Sequence, residues 1–181
     1  MLERKREKME KSGRKRQALE KAGEKCVVPD KSKGSKPVVF AGDDEYMLDP
    51  SRRVTMPVRW RSKQHDEFWV LPWPLVKRDY LLVLPVARFE QMMAAVGQAS
   101  LSDERSLAVA RAISGRAQLL KLDKSSRVLL PEILTSAVGI KSSVKFVGMM
   151  GWFEIWDPKR HADTLVNNDL IAAQAVVGMQ L

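Results

Sequence analysis

The stretch Leu48-Asp49-Pro50-Ser51-Arg52-Arg53-Val54-Thr55-Met56-Pro57 returns later as Leu122-Asp123-Lys124-Ser125-Ser126-Arg127-Val128-Leu129-Leu130-Pro131, with six of ten positions identical. Asp49 recurs as Asp123 and Arg53 as Arg127, at a constant offset of 74 residues. Only two copies at so long a spacing point to duplicated half-domains rather than a solenoid, whose repeats are shorter and more numerous.

Each copy reads as strand, tight polar turn, strand, helix start. Asp suits the turn entrance because its carboxylate accepts hydrogen bonds from backbone N–H groups two residues on. Arg, four positions later, carries a planar five-donor fork that reaches back to that carboxylate or outward to a phosphate. Pro then ends the strand and opens a helix at the position where a missing N–H costs nothing.

Around these two stretches the pattern predicts an α+β chain. Pro37 to Phe40 gives the first strand-like run, followed by Glu45 to Leu48 and Val54 to Met56 around the first loop, and a short helix over Val58 to Arg61. Phe68 to Leu71 and Tyr80 to Leu84 are strands rich in β-branched and aromatic residues. Pro72-Trp73-Pro74 between them predicts a break in the ladder. Phe89, Met92, Met93 and Val96 fall at helical spacing within Ala87 to Val96, a stripe of core filler. Ser100 to Asp103 offers a capped start to a second helix containing Leu107, Ala110 and Ile113. The second half repeats the order: a strand over Ala117 to Leu122, the loop, a strand over Val128 to Leu130 and a helix from Pro131 to Val138, stopped by Gly139. Strands over Val144 to Val147 and Trp152 to Trp156 follow, then a terminal helix opened by Asp157-Pro158. We divide the chain as 1–36, a basic arm; 37–98, the first repeat; 99–116, a linking helix; and 117–181, the second repeat with its C-terminal helix.

Charge is distributed unevenly. Of the net +9, residues 1–36 hold 13 Lys and Arg against 6 Asp and Glu, or +7. That arm is too poor in large apolar side chains to offset the entropy of ordering, so it is expected to be disordered or partly helical. It is either a solvated mobile terminus or an arm that tracks DNA phosphates and releases counterions. The single cysteine, Cys26, excludes an intramolecular disulfide. No apolar run approaches the roughly 20 residues needed to cross a bilayer, and the N-terminus lacks the apolar core of a secretory signal, so a cytoplasmic protein without membrane partners is expected.

Catalysis has little support in the residues. His65 and His161 lie in no recognisable nucleophile motif and read as surface residues near helix ends, and there is no Cys-x-x-Cys, no His-Glu-x-x-His and no Gly-rich phosphate cradle. Asp43-Asp44 and Asp66-Glu67 read as solvated charge in loops between strands. The expectation is a non-enzyme without cofactor or metal.

Val39-Phe40-Ala41-Gly42 ahead of Tyr46-Met47-Leu48-Asp49, the two Asp-x-x-x-Arg loops, and Val147-Gly148 to Phe153-Glu154-Ile155-Trp156-Asp157 together resemble the MraZ family of bacterial transcriptional regulators, over about residues 38 to 165. The resemblance implies two tandem AbrB-like half-repeats of the swapped-hairpin type, closing into a small β-barrel core flanked by helices. It implies homo-oligomeric rings, octamers or larger, bound to short direct repeats in the promoter of the division and cell-wall gene cluster, and hence a nucleoid-associated protein whose partner is double-stranded DNA. Carried over by residue, DNA contact falls to Ser51, Arg52 and Arg53 in the first loop and to Lys124, Ser125 and Arg127 in the second, with Arg53 and Arg127 foremost; Asp49 and Asp123 brace the loops. The alternatives are that each Asp–Arg pair is an internal brace touching no DNA, and that the chain is a ring-forming structural or protein-interaction module with weak non-specific DNA binding. Family loops typically read Asp-x-Lys-Gly-Arg, whereas this chain has Ser51-Arg52 and Ser125-Ser126 at the Lys-Gly positions. Without glycine there, the turns are expected to take another shape.

Overall fold

Alternation of apolar and polar residues at period two lays down eight strands in the computed structural model, which describes residues 38–62, 65–97 and 103–178. They are β1 (Asp43–Met47), β2 (Arg53–Thr55), β3 (Glu67–Trp73), β4 (Tyr80–Pro85), β5 (Gln118–Lys121), β6 (Arg127–Leu129), β7 (Ser143–Gly148) and β8 (Phe153–Trp156). Four helices are described, α1 (Val86–Gly97), α2 (Glu104–Ser114), α3 (Glu132–Ala137) and α4 (Pro158–Gly178), with a 3-10 turn over Val58–Trp60. The basic arm and Cys26 lie outside the described residues.

Six strands form one antiparallel sheet in the order β1-β7-β8-β4-β3-β5, and β2 pairs only with β6. The order reads the same backwards when each strand is exchanged for its counterpart in the other half. The architecture is α+β, but no closed barrel forms. β1 and β5 are the outer strands and do not pair with each other, and β2 and β6, three residues each, are spent on their mutual ladder.

One face of the sheet buries a core built around aromatic rings. Phe40 lies 5.1 Å from Phe153 and 5.7 Å from Trp60, and Trp60 lies 6.0 Å from Phe146, mostly in edge-on or tilted arrangements that suit the ring quadrupoles. Val54 and Val128, from the centre of the two-stranded ladder, enter the same core. The other face packs on α1 and α2: Leu71, Leu82 and Leu84 meet Phe89 and Ile113, and Met92, Met93 and Val96 join them as their spacing predicts. Trp69 stacks on Phe89 at 4.4 Å. Asp103 caps α2 by accepting from the backbone N–H groups of Arg105 and Ser106. Gly139, beyond α3, takes the left-handed conformation at φ +76°.

Four local expectations are corrected. The strand expected over Pro37 to Phe40 is not formed over its described part, Val38 to Phe40: Phe40 makes one isolated bridge to Met150, because Gly42 at φ +82° turns the chain while the Ala41 carbonyl accepts from Arg59 Nε and Trp60 Nε1. Pro72 does not break the ladder; β3 runs on to Trp73 against β4, and Pro72 lies beyond the reach of β5, which pairs only with Glu67 to Val70, so the missing N–H falls on an unpaired side. Asp43, Asp44 and Glu67 lie in strands rather than loops. There Asp43 pairs with Lys145 at 2.8 Å, Asp44 pairs with Arg59, and Glu67 pairs with Lys121 at 2.9 Å. His65 is half-buried ahead of β3 rather than at a helix end, whereas His161 sits in the first turn of α4 with its ring 5.5 Å from that of Trp156.

Gly148 allows a close backbone approach between β7 and the segment at Phe40. A Cβ there would lie 2.5 Å from the Phe40 carbonyl oxygen and 2.8 Å from the Ala41 nitrogen. Neither is the end of a flexible side chain, so Gly148→Ala is expected to lower stability by about 1–3 kcal/mol in urea denaturation, in the range for overpacking.

Candidate nucleic-acid interface

The two Asp-x-x-x-Arg loops open β2 and β6, and strand alternation decides where their arginines go. Val54 and Val128 face the core, so Arg53, Thr55, Arg127 and Leu129 face outward. The register Arg53↔Leu129, Val54↔Val128, Thr55↔Arg127 sets equivalent residues of the two copies symmetrically about the central valine pair.

Each loop is closed by the same bonds. One Asp49 carboxylate oxygen accepts from the backbone N–H groups of Ser51 and Arg53, both at 2.8 Å, and the other accepts from Arg53 Nε at 3.0 Å. Asp123 repeats this with Ser125 at 2.8 Å, Arg127 at 2.9 Å and Arg127 Nε at 2.9 Å, and here an Arg127 terminal nitrogen also lies 2.9 Å from the same carboxylate oxygen. The backbone closes behind them: Asp49 N–H donates to the Arg53 carbonyl and Asp123 N–H to the Arg127 carbonyl. The loops also approach one another, since an Arg127 terminal nitrogen lies 4.0 Å from Asp49. Each acidic side chain therefore accepts the bonds that close its own loop.

The two positions where the family has glycine keep a left-handed backbone without it. Arg52 and Ser126 occupy the left-handed region at φ +61° and +57°. Such a conformation costs a non-glycine residue about 1–2 kcal/mol. It is held because the Arg52 N–H donates to the Asp49 carbonyl and the Ser126 N–H to the Asp123 carbonyl, alongside the carboxylate bonds.

Ser51, Lys124 and Ser125 are exposed at the loop tips. The Arg53 and Arg127 side chains are 38% and 36% exposed. Arg53 gives only its Nε–H to Asp49, which leaves its terminal donors without a protein partner among the described residues. Arg52 departs from this arrangement: its guanidinium turns onto α3, where it donates to the buried hydroxyl of Thr135 and lies 3.8 Å from Glu132. Sequence reasoning put Arg52 with Arg53 among the DNA-contacting residues. It missed Thr55 and Leu129, which share the outward face and which strand alternation alone could have named.

Both loop carboxylates are held below the usual value of 3.8: the backbone N–H of the loop arginine lowers them most, burial opposes this, and the arginine side chain lowers them further. A carboxylate whose folded pKa is depressed stabilises the fold fully above its unfolded pKa and loses that contribution as pH falls through the folded value. Asp49→Asn and Asp123→Asn are therefore expected to cost stability at pH 7 and to flatten its decline below pH 4, measured as urea midpoints across that range. Carboxyl-carbon NMR should place both titrations below 3.8.

Comparison with known proteins bears directly on this geometry. A family model described as "MraZ protein, putative antitoxin-like" matches residues 113–175. Transcriptional regulator MraZ of Finegoldia magna is 30% identical over 122 residues, covering 67% of this chain and 83% of the relative. The chain belongs to the MraZ family. Transcriptional regulator MraZ of Shewanella piezotolerans, 26% identical, is covered along 100% of its length by 79% of this chain, and that of Rickettsia felis, 28% identical, along 85% by 69%. The family model spans the end of α2, the second Asp-x-x-x-Arg loop and β5 to β8, so the better-matched half of this MraZ family member is the one that carries Asp123 and Arg127. Among the described residues, no helix is long and apolar enough to cross a membrane and no cluster of His, Cys, Asp or Glu could hold a metal.

Proposed function

We propose that the chain is a transcriptional regulator that binds double-stranded DNA through its two loops, with Arg53 and Arg127 making the principal contacts and Ser51, Lys124 and Ser125 adding contacts at the loop tips. The observation that carries this reading is the pair of matching loop clamps, each holding a guanidinium on the outward face of the β2–β6 ladder, with Arg53 keeping its terminal donors free of Asp49 and Arg127 giving one of its own to Asp123. A charge-assisted bond from a pre-oriented guanidinium to phosphate or to a guanine edge loses less side-chain entropy than one from a free arginine. Asp49 and Asp123 act here as positioning residues. Arg52, engaged with Thr135 and Glu132, is left out of the principal contacts.

In this reading the chain consists of two tandem AbrB-like half-repeats. The matching element order, the sheet order that reads the same in both directions and the shared loop geometry support it. The repeats assemble into a homo-oligomeric ring, an octamer or larger, that presents several loop pairs to promoter direct repeats and gains avidity through effective concentration. The apolar side chains exposed on α4, among them Val166, Leu170 and Ile171, supply surface for subunit contact. The protein is then cytoplasmic and nucleoid-associated, and residues 1–36 add sequence-independent attraction to phosphate.

A titration of the full chain against its own upstream region and against random duplex of equal length tests this reading, with mass measured by analytical ultracentrifugation. Preference for the upstream region by at least about 100-fold, within the range of specific over non-specific binding, and a mass of several chains are expected. Deleting residues 1–36 should reduce the salt dependence while leaving the preference intact. Equal affinity for the two duplexes would instead favour a ring-forming module that does not read sequence.

A further inference from the structure

The face of the sheet opposite the aromatic core carries a feature that the loops do not require. Strand alternation sends Phe153 and Ile155 of β8 into that core and turns Glu154 and Trp156 to the other side. There Glu154 lies in the lining of a cleft of about 480 Å³, bounded by α1 and by the β7–β8 turn. That volume is in the range of small-molecule sites.

Glu154 is only 8% exposed. Its carboxylate accepts from Trp156 Nε1 at 2.8 Å, and the Tyr80 hydroxyl, a second neutral group, lies close enough to favour its charged form. No Lys, Arg or His among the described residues forms an ion pair with it. Burial pushes its pKa up, and the two donors only partly oppose this. Burial, followed by the neighbouring Glu154 charge, also pushes the Tyr80 hydroxyl up, so it remains a proton donor. A carboxylate offers about four acceptor positions, and Trp156 takes one of them. A buried anion with no cationic partner is costly, and either a proton or a cation that comes to it relieves that cost.

The cleft walls suit such a visitor. Trp73, Tyr80 and Trp152 bring aromatic rings to it, and Met92 and Met149 bring flexible, polarisable thioethers. Cations are attracted to aromatic faces, more strongly when desolvated. At the rim the exposed guanidinium of Arg88 lies 5.5 Å from the Trp152 ring, so a cation already occupies that ring. Its charge is screened by solvent, unlike that of Glu154.

We propose that this cleft binds a small organic cation, a primary ammonium on an apolar body, with the ammonium donating to Glu154 and the body lying among Trp73, Tyr80 and Trp152. The site is separate from the Asp-x-x-x-Arg loops and stands independently of the DNA-binding reading. Its test is a titration of the full chain with phenethylammonium chloride, followed by tryptophan fluorescence and by the indole N–H signals of Trp73 and Trp152. Saturable binding is expected. It should weaken at least tenfold in Glu154→Gln, which keeps the shape and an acceptor for Trp156, and at least tenfold when neutral 2-phenylethanol replaces the cation. Trp152→Ala should weaken it as well, and together with the neutral probe carries the test should Glu154→Gln fail to fold. Absence of saturable binding, equal affinity for the neutral probe, or unchanged affinity in a folded Glu154→Gln variant would overturn the proposal.

Discussion

The variant carrying both Arg53→Ala and Arg127→Ala is expected to bind DNA about 100-fold more weakly than the unmodified chain, or worse, while keeping its fold and its oligomeric mass. Hydrogen bonds to charged groups contribute about 1.5–3 kcal/mol each, so losing one per loop removes roughly 3–6 kcal/mol per subunit. Each loop has Asp oxygens that accept from backbone N–H groups as well as from the arginine, so truncating the arginine leaves most of the loop's closure in place. The slope of log affinity against log salt should fall by about 0.9 for each phosphate contact removed. Each single variant should fall between the unmodified chain and the pair. Arg59→Ala is the control, because Arg59 is tied to Asp44 and to the carbonyls of Ala41 and Asp43, away from the loops.

The largest effect on stability is expected at Trp60. It is 1% exposed, meets Phe40, Phe146 and Phe153 through its ring, and anchors the 3-10 turn by donating Nε1–H to the Ala41 carbonyl at 3.1 Å. Trp60→Ala opens a cavity at the centre of the aromatic cluster and leaves that carbonyl with one donor fewer. A loss of about 3–5 kcal/mol is expected. Set against a typical total of about 5–15 kcal/mol, that is enough to lower the thermal midpoint by roughly 10 °C or more, as calorimetry would record. Trp60→Phe keeps most of the apolar surface and should cost less than half as much.

What the sequence makes legible and what it hides divides along the range of the interactions. The clamp of Asp49 on Arg53 spans four residues and depends on local backbone geometry, so residue type and spacing sufficed to anticipate it. The same holds for the Asp103 cap, the left-handed Gly139 and the Met92 and Met93 stripe, each decided within a turn or two of chain. Arg52 could not be placed that way. Its partner Thr135 is 83 residues distant, and only the pairing of β2 with β6 brings the first loop over α3. The absence of barrel closure is likewise tertiary, since nothing in Arg53 to Thr55 or Arg127 to Leu129 states that these short strands take one another as partners. Pro72 misled because its effect depends on whether a strand lies on the side where its N–H would be, and β5 ends before reaching it. Glu154 reads in Phe153-Glu154-Ile155-Trp156 as the polar side of an alternating strand, and its burial comes from packing across the sheet by residues far away in sequence.

The most direct test of the account is the arginine Nε–H NMR spectrum of the chain as duplex DNA from its upstream region is added. If the clamped guanidinium groups meet the polyanion, the Nε–H signals of Arg53 and Arg127 shift together with the DNA while that of Arg59 stays in place. Signals of Arg53 and Arg127 that remain still while backbone signals elsewhere respond to the same DNA would contradict it.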